Sequence, residues 1–231
     1  GFNVDGGGGT DELLLDAEAD TEAMIIPASP TSGKVVDNGF ADINYSNFGD
    51  LTVSEPVGFI LNAGAGRNDG NPDQFVLNRN GGLVEFSANG NLILSEDLAD
   101  IRAFIVNGSN DDDTLTVDVA NGDPIPAGGV TYNGSNQITT DDLVVDGSGT
   151  ETVVYTPSDD TPGSGTVTVD GSVITFTELE PIRVTDVSNF TLVTPNGSDV
   201  LTVDSSAANQ NRISGTSGGV MIEPVVFDRV A

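Results

Sequence analysis

A chain of 231 residues with 36 acidic and 7 basic side chains carries a formal charge of -29, a field that repels nucleic acid phosphates and anionic membranes and attracts cations. It contains no Cys and no His, which removes disulfides, thiolate metal sites, the usual general base and the Ser-His-Asp triad together. An apolar content of 37% with 29 Gly and abundant Thr, Ser, Asn and Asp excludes outright disorder and points to a turn-rich, all-β chain.

The chain opens on "GFNVDGGGGT", where Phe2 and Val4 alternate with polar residues before a glycine turn. "DGGGG" is no phosphate loop, because no Lys or Ser/Thr of the right spacing follows. With Gly first and no leader pattern, the expectation is a processed or excised piece. No apolar run approaches the length of a membrane-spanning helix. "DELLLDAEADTEAM" (Asp11 to Met24) reads as a strand followed by an acidic loop, and "PASPTSG" (Pro27 to Gly33) as a turn. "LTVSEPVGFIL" (Leu51 to Leu61) and "TVTVDGSVITFT" (Thr166 to Thr177) are strand-like throughout, the latter with a hairpin signal at Asp170-Gly171.

A pattern Asp-x-Leu/Phe-x-Val/Leu-Asp/Asn recurs as "DELLLD" (Asp11 to Asp16), "DQFVLN" (Asp73 to Asn78), "DTLTVD" (Asp113 to Asp118), "DDLVVD" (Asp141 to Asp146) and "DVLTVD" (Asp199 to Asp204). Its alternation is that of a half-buried strand, with Leu13, Leu15, Phe75, Leu77, Leu115, Val117, Leu143, Val145, Leu201 and Val203 facing inward. A second pattern sets two apolar residues three apart in "NFGDL", "DLADI", "ELEPI" and "VFDRV", recurring at intervals of about 50 residues with one longer gap. The expectation is therefore a single repetitive domain over 1–231. Its units lie at approximately 1–40 (a half unit), 41–90, 91–170 with an insertion at 119–149, 171–219, and 220–231 (a half unit completed by the next copy).

Repeats of this length, unable to bury a face alone, predict a parallel β-solenoid or β-helix of stacked imperfect repeats; the alternative is a row of tandem antiparallel β-sandwiches. Asn and Thr at the turns are expected to stack in ladders that keep the corners in register. Placing a second copy after Ala231 sets Phe227, Val230, Phe2 and Val4 at the spacings of Leu98, Ile101, Phe104 and Val106. The two extremities then form halves of one apolar layer. The expected partner is the chain itself, as a head-to-tail polymer or an adjoining repeat of the same chain.

"DDDTLTVDVANGDPIPAGGVTYNG" and "GTVTVDGSVITFTELEPI" resemble the Asp/Gly-rich tandem repeats of very long bacterial surface proteins of the planctomycete type, over roughly Ile101 to Gly219. That resemblance implies an exported, extracellular or cell-surface protein, rich in β structure, and brings no catalytic residue. The Gly-Asp turns are also similar, more weakly, to the calcium-binding repeats of secreted toxins, although no "GGxGxD" run in tandem is present.

Calcium takes six to eight oxygen ligands from carboxylates and turn carbonyls. The candidate ligands are Asp111, Asp112 and Asp113 in "NGSNDDD", Asp141 and Asp142, and Asp69 and Asp73 in "RNDGNPD"; the competing reading is solvated acidic turns. A carboxylate-pair enzyme acting on polysaccharide has Glu85, Glu96, Glu151, Glu178 and Glu180 to draw on. Cations for an acidic substrate are confined to Lys34, Arg67, Arg79, Arg102, Arg183, Arg212 and Arg229, without Trp, so no catalytic role is expected. Sequons at Asn44, Asn107, Asn133, Asn189 and Asn196 mark surface turns. The function expected is a structural module of an extracellular fibre, with an adhesin or glycan-binding stalk as its alternative.

Overall fold

The computed structural model describes residues 2–15, 23–36, 41–53, 55–62, 69–135, 140–195 and 197–230. The acidic stretch 16–22, Arg67 and the sequon residue Asn196 lie outside them. Among the described residues the regular structure is β throughout, apart from one 3-10 turn at Leu98–Asp100.

The largest sheet has eleven strands. In spatial order they are β1 (Phe2–Asp5), β5 (Ile43–Ser46), β4 (Ser32–Val36), β3 (Met24–Ser29), β7 (Val57–Asn62), β11 (Ile101–Asn107), β13 (Val130–Asn133), β17 (Ser172–Thr177), β16 (Gly165–Val169), β15 (Thr152–Pro157) and β19 (Asn189–Leu192). A nine-stranded sheet runs β10 (Asn91–Asp97), β9 (Leu83–Ala88), β8 (Gln74–Asn80), β12 (Thr114–Asp118), β14 (Asp142–Asp146), β18 (Ile182–Thr185), β22 (Val220–Asp228), β21 (Gln210–Ser217) and β20 (Asp199–Ala207). The remaining pair is β2 (Glu12–Leu15) with β6 (Asp50–Val53).

Consecutive strands alternate between the two large sheets through the middle of the chain: β7 then β8, β11 then β12, β13 then β14, β17 then β18. Within each sheet these strands pair in parallel in chain order, β7-β11-β13-β17 in the larger and β8-β12-β14-β18 in the other. Elsewhere antiparallel meanders are spliced in: β3-β4-β5 and β15-β16-β17 in the larger sheet, β8-β9-β10 and β20-β21-β22 in the other. The Asp170-Gly171 hairpin is one of these, with both residues at positive φ as such a turn requires.

Register explains the core. Because side chains alternate, in-register parallel pairing stacks like positions into columns. Phe75, Leu115, Leu143, Ile182 and Val225 form one column of the smaller sheet, and Leu77, Val117, Val145, Val184 and Phe227 the next. Phe59 and Phe104, then Leu61, Val106, Tyr132 and Phe176, line the facing sheet. Nearly all are buried; only Phe227, at the end of its column, is partly exposed. Each buried aliphatic or aromatic side chain contributes about 1.5–3 kcal/mol. The expected polar ladder is present as Asn133 Nδ2 donating to Asn107 Oδ1 at 2.6 Å and Thr177 Oγ1 donating to Asn133 Oδ1 at 2.9 Å.

Corners of the chain follow a conformational rule that the second sequence pattern shares only in part. "NFGDL", "ELEPI" and "VFDRV" each contain it, whereas in "DLADI" Asp97 has φ -66 and caps the 3-10 turn, and the corner at Asp186 lies outside the pattern. Asn47, Glu178, Asp186 and Arg229 all have positive φ, and each is followed by an apolar residue, Phe48, Leu179, Val187 and Val230. A left-handed residue turns the strand through the corner, and the next side chain plugs the space inside it. Phe48, Leu179 and Val187 are buried there.

Two copies of the first pattern do not join the stack made by the other three. "DELLLD" pairs only in the two-stranded sheet. "DVLTVD" becomes β20, the outer edge of the nine-stranded sheet, so Leu201 and Val203 face solvent rather than core. The physical reason is that "IRVT" (Ile182 to Thr185) takes the place beside β14 with the same alternation, Ile182 and Val184 inward.

Candidate functional site

Asp73, Asp113 and Asp141 each stand immediately before a strand, β8, β12 and β14, at matching positions of adjacent parallel strands. All three are buried. The Asp73 N–H donates to Asp113 Oδ1 at 3.1 Å, and the Asp113 N–H to Asp141 Oδ1 at 2.7 Å. The backbone ladder runs alongside: Thr114 N–H to the Asp73 carbonyl, Asp142 N–H to the Asp113 carbonyl and Glu180 N–H to the Asp141 carbonyl, at 2.8–2.9 Å. The Asp113 carboxylate also takes the Ser109 N–H and, at 3.3 Å, the Ser109 hydroxyl of its own corner.

Glycine makes room for this. A Cβ on Gly108 would lie 2.8 Å from Asp113 Oδ2, and one on Gly134 2.8 Å from Asp141 Oδ2 and 2.2 Å from the Glu178 carbonyl oxygen. The glycine of "NG" at Gly108 and at Gly134 is thus a steric requirement, first of the neighbouring corner's backbone carbonyl and then of the tucked-in carboxylate. Gly147 and Glu151 repeat the device before β15, where a Cβ would come within 2.6 Å of Glu151 Oε2. There the Ser148 N–H and hydroxyl and the Thr150 N–H and hydroxyl all donate to one carboxylate.

The electrostatics divide these acids. Burial pushes Asp141 up to about 7; the Asp113 N–H opposes the rise, and the neighbouring charges of Asp113, Asp112 and Asp142 add to it. Asp113 is also raised, by burial, against the bonds from Ser109 and Asp73. Burial acts on Glu151 in the same direction, yet its donors from Ser148 and Thr150 outweigh it and hold the carboxyl down at about 2. Burial, then Asp141, Asp113 and Asp142, raises the Tyr132 hydroxyl, which has no hydrogen-bond partner; nor has Asp141 Oδ2.

The remaining expected ligands are dispersed. Asp111 Oδ2 accepts the Asp69 and Gly70 N–H groups at 2.8 and 3.0 Å. Asp112 Oδ1 accepts the Thr140 N–H at 3.1 Å, and Asp142 Oδ2 the Arg183 Nε at 3.0 Å. These bonds come from N–H donors, and among the described residues no group of three or more acidic side chains able to hold a metal ion is found.

At the end of the acid column lies a cleft of about 510 Å³ over β18, β21 and β22. Glu180 is the only one of the five candidate glutamates that lines it, and Arg183 and Arg212 line it too. Both arginines are already engaged, Arg183 with Asp142 and Arg212 with Asp204 at 2.6 Å. The residue that sequence reasoning missed is Glu223. It is 4% exposed, its Oε1 has no hydrogen-bond partner, and burial, then Glu180 and Asp142, pushes it up to about 8. Pairing of Ile213 with Val225 and of Gly215 with Ile222 leaves Glu223 and Pro224 opposite the single residue Ser214, a β-bulge. The available signal was the repeated Glu-Pro: "EPI" at Glu180 and "EPV" at Glu223, which the parallel register of Ile182 with Val225 sets on neighbouring strands.

The four end residues sit at opposite limits of the stack. Phe2 and Val4 belong to the edge strand β1 and are 67% and 39% exposed. Phe227 stacks on Phe190 of β19, the other edge, with ring centroids 5.2 Å apart, and Val230 packs partly against the core. Comparison with protein-family models, with curated proteins and with solved structures returns no match for this chain.

Proposed function

We propose that the chain is a structural repeat module of an extracellular or cell-surface fibre, a β-solenoid elaborated by hairpins, which continues end to end into an adjoining copy of itself. The observation that carries this reading is the register of β18 and β22. Ile182 pairs with Val225 and Thr185 with Asp228, which carries the corner Asp186-Val187 onto Arg229-Val230. After the first corner the chain runs Ser188, Asn189, Phe190, Thr191, Leu192; after the second comes Ala231, and a following copy supplies Gly1, Phe2, Asn3, Val4. Phe2 and Val4 thereby take the positions of Phe190 and Leu192, the inward residues of β19.

Both outer strands of the eleven-stranded sheet present an unpaired edge and half-covered apolar side chains, the condition under which strands add to one another. The buried acid column supports a mechanical role, since the Asp113 and Asp141 carboxyl groups accept the N–H groups of Asp73 and Asp113 and so tie adjacent strands together. The -29 charge opposes lateral association while leaving the apolar ends free to join. Sedimentation velocity over a concentration series, with electron microscopy of the concentrated sample, tests the proposal. Assembly with a regular axial repeat that is lost in Phe2→Asp supports it, and a monomer at all concentrations, with two covalently linked copies showing no gain in stability per copy, overturns it.

A further inference from the structure

We propose that the cleft over β18, β21 and β22 binds a primary alkylammonium group, the chemistry shared by a lysine side chain and a free polyamine. The charges lead there. Arg183 and Arg212 are each neutralised by their own aspartate, whereas Glu180 and Glu223 line the cleft with no ion pair among the described residues, and the buried Glu223 Oε1 has no hydrogen-bond partner. An unpaired buried oxygen of this kind is costly and is made good by a ligand that donates to it. An anion is disfavoured by these two carboxylates, and a divalent metal by the shortage of oxygen ligands. An ammonium needs only two or three acceptors in a compact arrangement.

The walls fit the rest of such a ligand. Pro162, Pro181, Met221, Ile222, Pro224 and Val226 make the lining largely apolar, suited to a methylene stem, and the volume of about 510 Å³ is that of a small-molecule site. The bulge at Glu223-Pro224 is a local departure from the strand that sets this side chain beside Glu180, and Pro224 cannot donate to the ladder there. Capture of an ammonium ionises Glu223, whose proton passes to the buffer; Glu180, Asp142, Arg183 and Arg212 are the charged groups around it.

Titration calorimetry at pH 7 with cadaverine, and separately with an acetylated lysine amide, tests the site and separates its two sources. Repeating each titration in buffers of different ionisation enthalpy counts the proton released. The expected result is saturable one-site binding of at least one probe with proton release, weakened by about tenfold or more in Glu223→Gln. Cadaverine alone binding assigns a polyamine, and the lysine amide binding equally assigns a side chain of a partner. Glu180→Gln, at an exposed position, serves as a second variant that leaves the fold intact and is expected to weaken binding by about threefold. Absence of saturable binding, or binding by both variants equal to the parent as the diffuse field of the whole chain would give, overturns the proposal.

Discussion

The backbone N–H of Asp113 donates to Asp141 Oδ1 at 2.7 Å where β12 and β14 begin side by side, and the Asp141 carboxyl so engaged is buried and pushed up to about 7. The same contact that ties two strands together therefore carries a group that titrates near neutrality.

The first consequence concerns pH. Unfolded, Asp141 and Glu223 release their protons near 4; folded, they hold them to about 7 and about 8. Between those limits the folded state binds more protons, so stability falls as pH rises from about 5 to about 8. Ordinary carboxylates are ionised in both states over this window and contribute little to the slope. Melting temperature measured across it should decline for the parent and flatten in the Asp141→Asn, Glu223→Gln double variant, in which the carboxamide replacing the Asp141 carboxyl still offers an oxygen to the Asp113 N–H.

Glu151 should act in the opposite sense. Its folded-state pKa, held down at about 2, confers stability that is present above about 4.5 and lost as pH falls toward 2. Glu151→Ala should destabilise by about 1–3 kcal/mol at pH 6, because the Ser148 and Thr150 donors lose their acceptor. Urea unfolding at pH 6 and pH 3 checks this, and the gap between parent and variant should narrow at the lower pH.

Gly134 gives the steric test. Its added Cβ would meet the Glu178 carbonyl oxygen at 2.2 Å and the Asp141 carboxylate at 2.8 Å, so Gly134→Ala should destabilise by about 2–3 kcal/mol. At Gly82 a Cβ meets nothing within 4 Å, and Gly82→Ala should be neutral within about 0.5 kcal/mol. Thermal unfolding of the two variants side by side decides the matter.

Phe2 separates folding from assembly. At 67% exposed it buries little within one chain, so Phe2→Asp should change monomer stability by less than about 0.5 kcal/mol. End-to-end association, where that ring replaces the environment of Phe190, should fall by about tenfold or more. Sedimentation of parent and variant at matched concentration, together with their melting curves, reads both quantities.

Much of this was legible in the residues. Alternation in "DQFVLN", "DTLTVD" and "DDLVVD" identified strands whose inward positions, Phe75 to Val145, are indeed core, and their common pattern anticipated that they pair in register. The fate of "DVLTVD" was not legible, because β20 has the same alternation and differs only in what lies beside it. Calcium was inferred from the acids themselves. That their oxygens accept N–H groups depends on which carbonyls and amides the corner glycines bring near, and composition does not record that.

The sequence by itself determined the all-β character, the two repeated patterns and the sign of the field, because each depends on residue type and spacing along the chain. Only the tertiary structure decided that Asp73, Asp113 and Asp141 form a buried column and that Glu223 comes beside Glu180. Those relationships join residues tens of positions apart. Desolvation and hydrogen-bond direction, which set a carboxylate's chemistry, exist only once the strands have paired.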